Sequence, residues 1–153
     1  MNIIFKIFYK FLLLYWRIVR PKTIGVKALV INNEQEILLI KAKALDSWVL
    51  PGGGVKKNEN LVEAAQRETL EETGIKVTSQ AQLLGVYSNF KEYKNDHIIV
   101  FVFKNWSKKT EHTSIEVNQS QFFSLKNLPD DLSPSTIKRI KEYLGEKEMD
   151  YKW

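Results

Sequence analysis

Residues 51–75 read PGGGVKKNENLVEAAQRETLEETGI, and the fold is decided by how this stretch is read. Gly52, Gly53 and Gly54 give a backbone that can approach a ligand closely and adopt positive φ. Asn58 or Asn60 then caps a helix that Gly74 ends. At about 100° per residue, the carboxylates of Glu68, Glu71 and Glu72 fall within an arc of about 100° on that helix. Like charges so close repel, and something must offset them. The plainest account is a solvated acidic face. Against it, Leu61, Ala65, Glu68 and Glu72 follow the stripe expected of a core-facing row, beside the small Ala64. A buried anion is costly unless it is paired or holds a metal. Arg67, the only cation of the helix, has Glu63 and Glu71 four residues to either side. That suffices for surface pairing and leaves Glu68 and Glu72 unprovided for. An oxygen-rich cluster without sulfur or imidazole suits a hard cation, Mg2+ or Mn2+.

The spacing within the stretch carries a family resemblance. Gly53, five residues, Glu59, seven residues, Arg67-Glu68, two residues, Glu71-Glu72, one residue, Gly74-Ile75 resembles the Nudix box, G-x5-E-x7-R-E-U-x-E-E-x-G-U. Thr69, where an apolar residue is usual, is the one departure. The wider resemblance runs from about Lys22 to Leu128. It implies an α/β fold, a Nudix-type α/β/α sandwich with a mixed sheet, and metal-dependent attack of water on a diphosphate linkage. Carried over position by position, it makes Glu68, Glu71 and Glu72 metal ligands, with the carbonyl of Gly52 or Gly53 adding an oxygen. Arg67, helped by Glu59, would orient the carboxylates. A further base often lies outside the box in this family, which points to Glu116, with Glu92 as runner-up. Either could equally be a solvated acid.

The chemistry suits such a cluster. Cations held by carboxylates can bridge phosphate oxygens, neutralise charge in the transition state and lower the pKa of a bound water. Phosphoryl transfer needs positioning and charge stabilisation more than a covalent nucleophile. The leading expectation is hydrolysis of a nucleoside diphosphate linked to another moiety. The rivals are a house-cleaning hydrolase of modified nucleoside triphosphates and a non-catalytic nucleotide-binding module. Intact Glu68, Glu71 and Glu72 argue against the module. For substrate contacts the sequence offers Lys41 or Lys43 for phosphates and Phe90, Tyr93 or Trp48 for a base. Each also reads as an ordinary surface or core residue. His97 and His112 read as structural.

Composition limits the rest. The 153 residues make one domain's worth of chain, and no cysteine means no disulfide or thiol chemistry. That agrees with a reducing cytoplasm. Of the net charge of +5, residues 1–33 contribute six cations and no acid, which leaves about −1 for the remainder. The cations Lys6, Lys10, Arg17 and Arg20 share an arc of about 80° on a helical wheel. Ile3, Ile4, Ile7, Phe8, Phe11, Leu14, Tyr15 and Ile18 cover the opposite side. The longest uncharged run between them, Phe11 to Trp16, is far short of the roughly 20 residues that span a bilayer. A signal peptide is not expected, because cations break the apolar run and no small-residue cleavage site follows. Residues 1–20 therefore read as an amphipathic helix that lies on an anionic membrane surface, packs on its own domain or forms a homodimer. Nucleic-acid binding is not expected from one short cationic edge. Pro21 ends the helix.

Beyond it, Val26–Ile31 and Ile37–Ile40 read as a hairpin. Trp48–Leu50, Gln82–Ser88, His97–Trp106 and Phe122–Leu125 read as further strands, and Pro134–Leu144 as a helix capped by Ser133. The chain divides into an N-terminal helix (1–20), a Nudix hydrolase domain (21–145) and a charged, frayed tail (146–153).

Overall fold

A computed structural model describes residues 3–19, 22–43, 47–90, 95–107 and 117–153. Its elements in chain order are α1 (Ile3–Val19), β1 (Lys22–Val30), β2 (Glu36–Ala42), β3 (Trp48–Val49) and α2 (Leu61–Thr73). Then follow β4 (Lys76–Val77), β5 (Gln82–Asn89), β6 (Asn95–Phe103), β7 (Trp106–Ser107), β8 (Val117–Ser124) and α3 (Pro134–Tyr143).

Alternation along the strands makes the sandwich. Val26, Ala28 and Val30 of β1, with Ile99, Phe101 and Phe103 of β6, pack on Ala64 and Ala65 of α2. Their neighbours Leu29, Ile98, Val100 and Val102 point the other way, into a second core with Ile140 of α3. Successive strand side chains face opposite sides, so two apolar faces need two covering helices. The sheet β1-β6-β5 is mixed: β1 runs parallel to β6, and β5 antiparallel to it. A second sheet, β3-β2-β8, is antiparallel, and β4 pairs only with β7.

Four sequence readings need correction. β1 and β2 do not form a hairpin ladder. Asn32 closes a tight turn by accepting from the Glu34 and Glu36 amides, but beyond that turn and the single bridge from Ile31 to Ile37 the strands enter separate sheets. The apolar run His97–Trp106 breaks at Lys104-Asn105, where the Asn105 carbonyl accepts from Thr78 and Ser79 and turns the chain into β7. Trp48, offered as a base-stacking group, is buried edge-on against Phe123 at 4.7 Å.

The tail is docked rather than frayed. Ser88 N–H donates to the Tyr151 carbonyl (2.8 Å), and Trp153 N–H donates to the Ser88 carbonyl (3.0 Å). The anchor is Arg139, fully buried, whose guanidinium lies 3.7 Å from the Tyr87 ring centroid and 5.5 Å from that of Trp153. It pairs with buried Glu142 (2.8 Å) and reaches the Lys152 carbonyl (3.2 Å) and Asp150 (3.4 Å). Tyr87 completes the cluster by donating to Glu142 (2.7 Å). Burial, and then that bond to the carboxylate, pushes the Tyr87 phenol well above its ordinary pKa.

In the second half of α1 much of the apolar side is outward. Phe11, Leu14, Tyr15 and Ile18 are between 53% and 75% exposed, whereas Leu12, Leu13 and Trp16 are half-buried. Among the described residues, no helix is long and apolar enough to cross a membrane.

Candidate active site

The helix α2 begins at Asn60, whose side chain accepts from the Glu63 amide (2.8 Å) while the Glu63 carboxylate accepts from the Asn60 amide (3.2 Å). This reciprocal cap stabilises the start by roughly 1 kcal/mol. Gly74, at φ +71°, ends the helix in the left-handed region. Between the caps, Ala64, Ala65, Thr69 and Thr73 are buried. The departure from the apolar pattern at Thr69 is absorbed locally: its hydroxyl donates to the Ala65 carbonyl at 2.7 Å.

Glu68 and Glu72 share this inward face, and Glu71 lies at its edge. The Glu68 side chain is 16% exposed, and that of Glu71 is 50% exposed. Across from the first two runs the glycine loop. Gly52 N–H donates to Glu72 Oε2 at 2.7 Å. A methyl group on Gly53 would stand 2.7 Å from the Glu68 carboxyl carbon, so the loop and that carboxylate lie in close contact and a side chain there would push the carboxylate aside. Gly52 takes φ +139°, and a side chain there would also meet the Val26 carbonyl at 2.1 Å. Backbone bonds fasten the loop onto β1, with Val26 N–H donating to Gly53 O and Ala28 N–H to Pro51 O (both 2.9 Å).

Arg67 binds more than its neighbours one turn away. Its guanidinium donates to Glu59 (2.6 and 2.9 Å), Glu68 (2.7 Å), Glu71 (3.0 Å) and the Gly54 carbonyl (3.1 Å). The expectation that Arg67 leaves Glu68 unpaired is therefore corrected: a long side chain reaches its adjacent residue when both turn toward one loop. The bond from Arg67, then the Lys56 amide, holds the Glu59 carboxyl down at about 2. Glu59 does not start the helix. It lies just before the cap and ties the loop to it.

The cation that sequence reasoning missed is Lys27. Its Nζ donates to the carbonyls of Gly52 (2.8 Å) and Leu50 (2.9 Å). Loss of water around the ammonium lowers its pKa, while Glu72 and then Glu68 push it back up. The available signal was a single lysine between Val26 and Ala28 in an otherwise apolar strand.

The other candidates lie elsewhere. Lys41 pairs with Asp131 at 2.7 Å and sits opposite Trp48, and Lys43 is exposed. Phe90 is 66% exposed, edge-on to His97, and borders a separate cavity with Tyr151 and Trp153. Tyr93, Glu92, Glu116 and His112 lie outside the described residues.

The groups set against the loop here, the Glu68 and Glu72 carboxylates, are oxygen donors. That chemistry fits a hard divalent cation. No three acidic or histidine side chains among the described residues converge closely enough to enclose one unaided. Glu71 would have to turn from Arg67 and Lys56, a small change for a half-exposed side chain.

Known proteins resemble this chain in sequence and fold. The model of the NUDIX domain matches residues 21–143. An ADP-ribose pyrophosphatase of Methanocaldococcus jannaschii is 36% identical over 119 residues, covering 75% of this chain and 69% of its own. A Bacillus subtilis protein, provisionally named an 8-oxo-dGTP diphosphatase, is 43% identical over 76 residues, and this chain spans 50% of its length. Among solved structures, a MutT Nudix hydrolase from Burkholderia pseudomallei superposes with a TM-score of 0.69 at 27% identity, covering 79% of this chain and 97% of its own. With the box, the sandwich and the family match in agreement, the chain belongs to the Nudix family.

Proposed function

We propose that the chain hydrolyses a nucleoside diphosphate linked to another moiety, using water as nucleophile and Mg2+ or Mn2+ as cofactor. The observation that carries this reading is the pair of inward carboxylates, Glu68 and Glu72, set closely against a loop whose backbone excludes a side chain at Gly52. When bound, the divalent ion supplies positive charge to the phosphate oxygens and acidifies a water. The chain's part is to hold its oxygens ready. Gly52 N–H fixes the Glu72 carboxylate, and Arg67 fixes Glu68 against Glu59. Glu71 is the third proposed ligand, with the Gly52 or Gly53 carbonyl adding an oxygen. Glu116 is the proposed base on sequence grounds, and Lys41, Lys43, Phe90 and Tyr93 are secondary candidates for substrate contact.

The more fully covered relative is an ADP-ribose pyrophosphatase, which supports a diphosphate with a second arm. The provisional name of the Bacillus subtilis relative favours a modified triphosphate instead. A panel of ADP-ribose, nucleotide sugars, dinucleoside polyphosphates and modified dNTPs with Mg2+ separates them. Turnover of the first three classes supports the leading reading, and turnover of the dNTPs alone replaces it. Saturable binding without product makes the chain a nucleotide sensor.

We further propose that α1 holds the protein on an anionic lipid surface at the cytoplasmic face of the inner membrane. Its exposed Phe11, Leu14, Tyr15 and Ile18 are flanked by exposed Lys10 and Arg17, in a segment without acids. The full chain is expected to float with vesicles containing phosphatidylglycerol, and a version starting at Lys22 is expected to sediment. A concentration-dependent dimer with no flotation would assign this face to a second copy instead.

A further inference from the structure

Arg67 serves Glu59, Glu68 and Glu71, and Lys27 reaches the same glycine loop from the strand side, where the Glu72 and Glu68 carboxylates favour its charged form. It stands on β1, and its ammonium reaches over to the carbonyls on either side of Pro51. Two cavities meet at this side chain. One, of about 450 Å³, extends from Lys27 and Leu50 to Ser135, Lys138 and Trp153. The other, of about 350 Å³, is bounded by Lys27, Gly52, Gly53 and Asp96. Lys27 therefore borders both cavities, the second of them along the glycine loop.

A lysine needed only to fasten the loop would be redundant here. The Val26 and Ala28 amides already tie Gly53 and Pro51 to β1. An ammonium carries three N–H donors, and the Gly52 and Leu50 carbonyls take two. Neither Lys41 nor Lys43 borders these cavities.

We propose that Lys27 is a phosphate-binding residue of this site, a cation supplied by the chain that takes an oxygen of the substrate's diphosphate while holding the Gly52 carbonyl in place. The proposal rests on the hydrolase reading above and adds a contact to it. Its signature is a pair of effects with opposite signs. A fixed ammonium beside Glu72 and Glu68 repels a divalent ion arriving alone and attracts a polyphosphate. Removing it should help the first and harm the second.

The test uses the full-length chain with Lys27→Met and Lys27→Arg. Mn2+ binding without nucleotide is read by electron paramagnetic resonance. Binding of the nucleotide that the wild-type chain holds best is read by calorimetry, alongside kcat and KM. Lys27→Met is expected to bind Mn2+ at least as tightly as wild type and to weaken the nucleotide by roughly 10- to 100-fold, the range for a lost charged hydrogen bond. Lys27→Arg should recover most of the nucleotide affinity. Should Lys27→Met not fold, Lys27→Gln, which keeps a donor for one carbonyl, serves in the same comparison. Mn2+ and nucleotide affinities that fall together would make Lys27 a loop fastener and overturn the proposal. Nucleotide binding indifferent to Lys27 overturns it alone. Failure of every nucleotide to bind the wild-type chain overturns the hydrolase reading and this one together.

Discussion

Glu72→Gln is expected to lower kcat by roughly 10²-fold or more, the scale of losing one preorganised charge contact at a developing charge, while leaving the fold intact. Glu72 is half-buried on the inward side of α2 and is held by the Gly52 amide at 2.7 Å. An amide oxygen can still accept that bond, so the loop keeps its place and only the negative charge is lost. The urea midpoint should therefore stay near that of wild type. Glu63→Gln provides the contrast. Glu63 is exposed, belongs to the helix cap and borders neither cavity at Lys27, so turnover should not change. A Glu72→Gln enzyme within a few-fold of wild type would remove Glu72 from the chemistry.

The largest expected loss of stability is at Arg139. Arg139→Met keeps much of the volume but strands Glu142, only 1% exposed, without its cation. Leaving one partner of a buried pair uncompensated costs about 3–5 kcal/mol. For a chain of this size that corresponds to a fall on the order of 10 °C in Tm. The last residues should loosen as well, because the guanidinium holds Asp150, the Lys152 carbonyl and the Trp153 ring. Adding Glu142→Gln to Arg139→Met should restore part of the loss, since the orphaned charge goes with it. Urea unfolding of the single and double variants checks both statements. A cost below 1 kcal/mol for the single variant would mean that Glu142 finds water or another donor when Arg139 is gone.

These two predictions separate what the sequence discloses from what it hides. The helix α2 is legible because its determinants are local. An asparagine cap, a glycine end and a stripe of small residues fix which way Glu68 and Glu72 face, with Glu71 at the border. The strands were legible as strands, and their partners were not. Nothing near Val26–Ile31 announces that β1 will pair in parallel with β6, some seventy residues on, instead of with β2. Two-residue ladders such as β4 with β7 have no periodicity to read.

Side chains that act at a distance from their own element were the main omissions. Lys27 looks like an interruption of an apolar strand until the glycine loop is laid across it. Arg139 looks like one cation among several on α3 until Tyr87 and Trp153 close around it. The tail looks frayed by composition, yet Trp153 is present to pack against Tyr87 and anchor it. Lys41 pairs with Asp131, a partner ninety residues away that its place before Trp48 does not disclose.

The most direct test of the proposed site is Mn2+ anomalous scattering from crystals soaked with the ion and a non-hydrolysable diphosphate. The account predicts a peak bounded by Glu68, Glu72 and the Gly52 or Gly53 carbonyl, with phosphate oxygens on its open side. Glu68 and Glu72 turned to bulk solvent, with manganese elsewhere or absent, would contradict it.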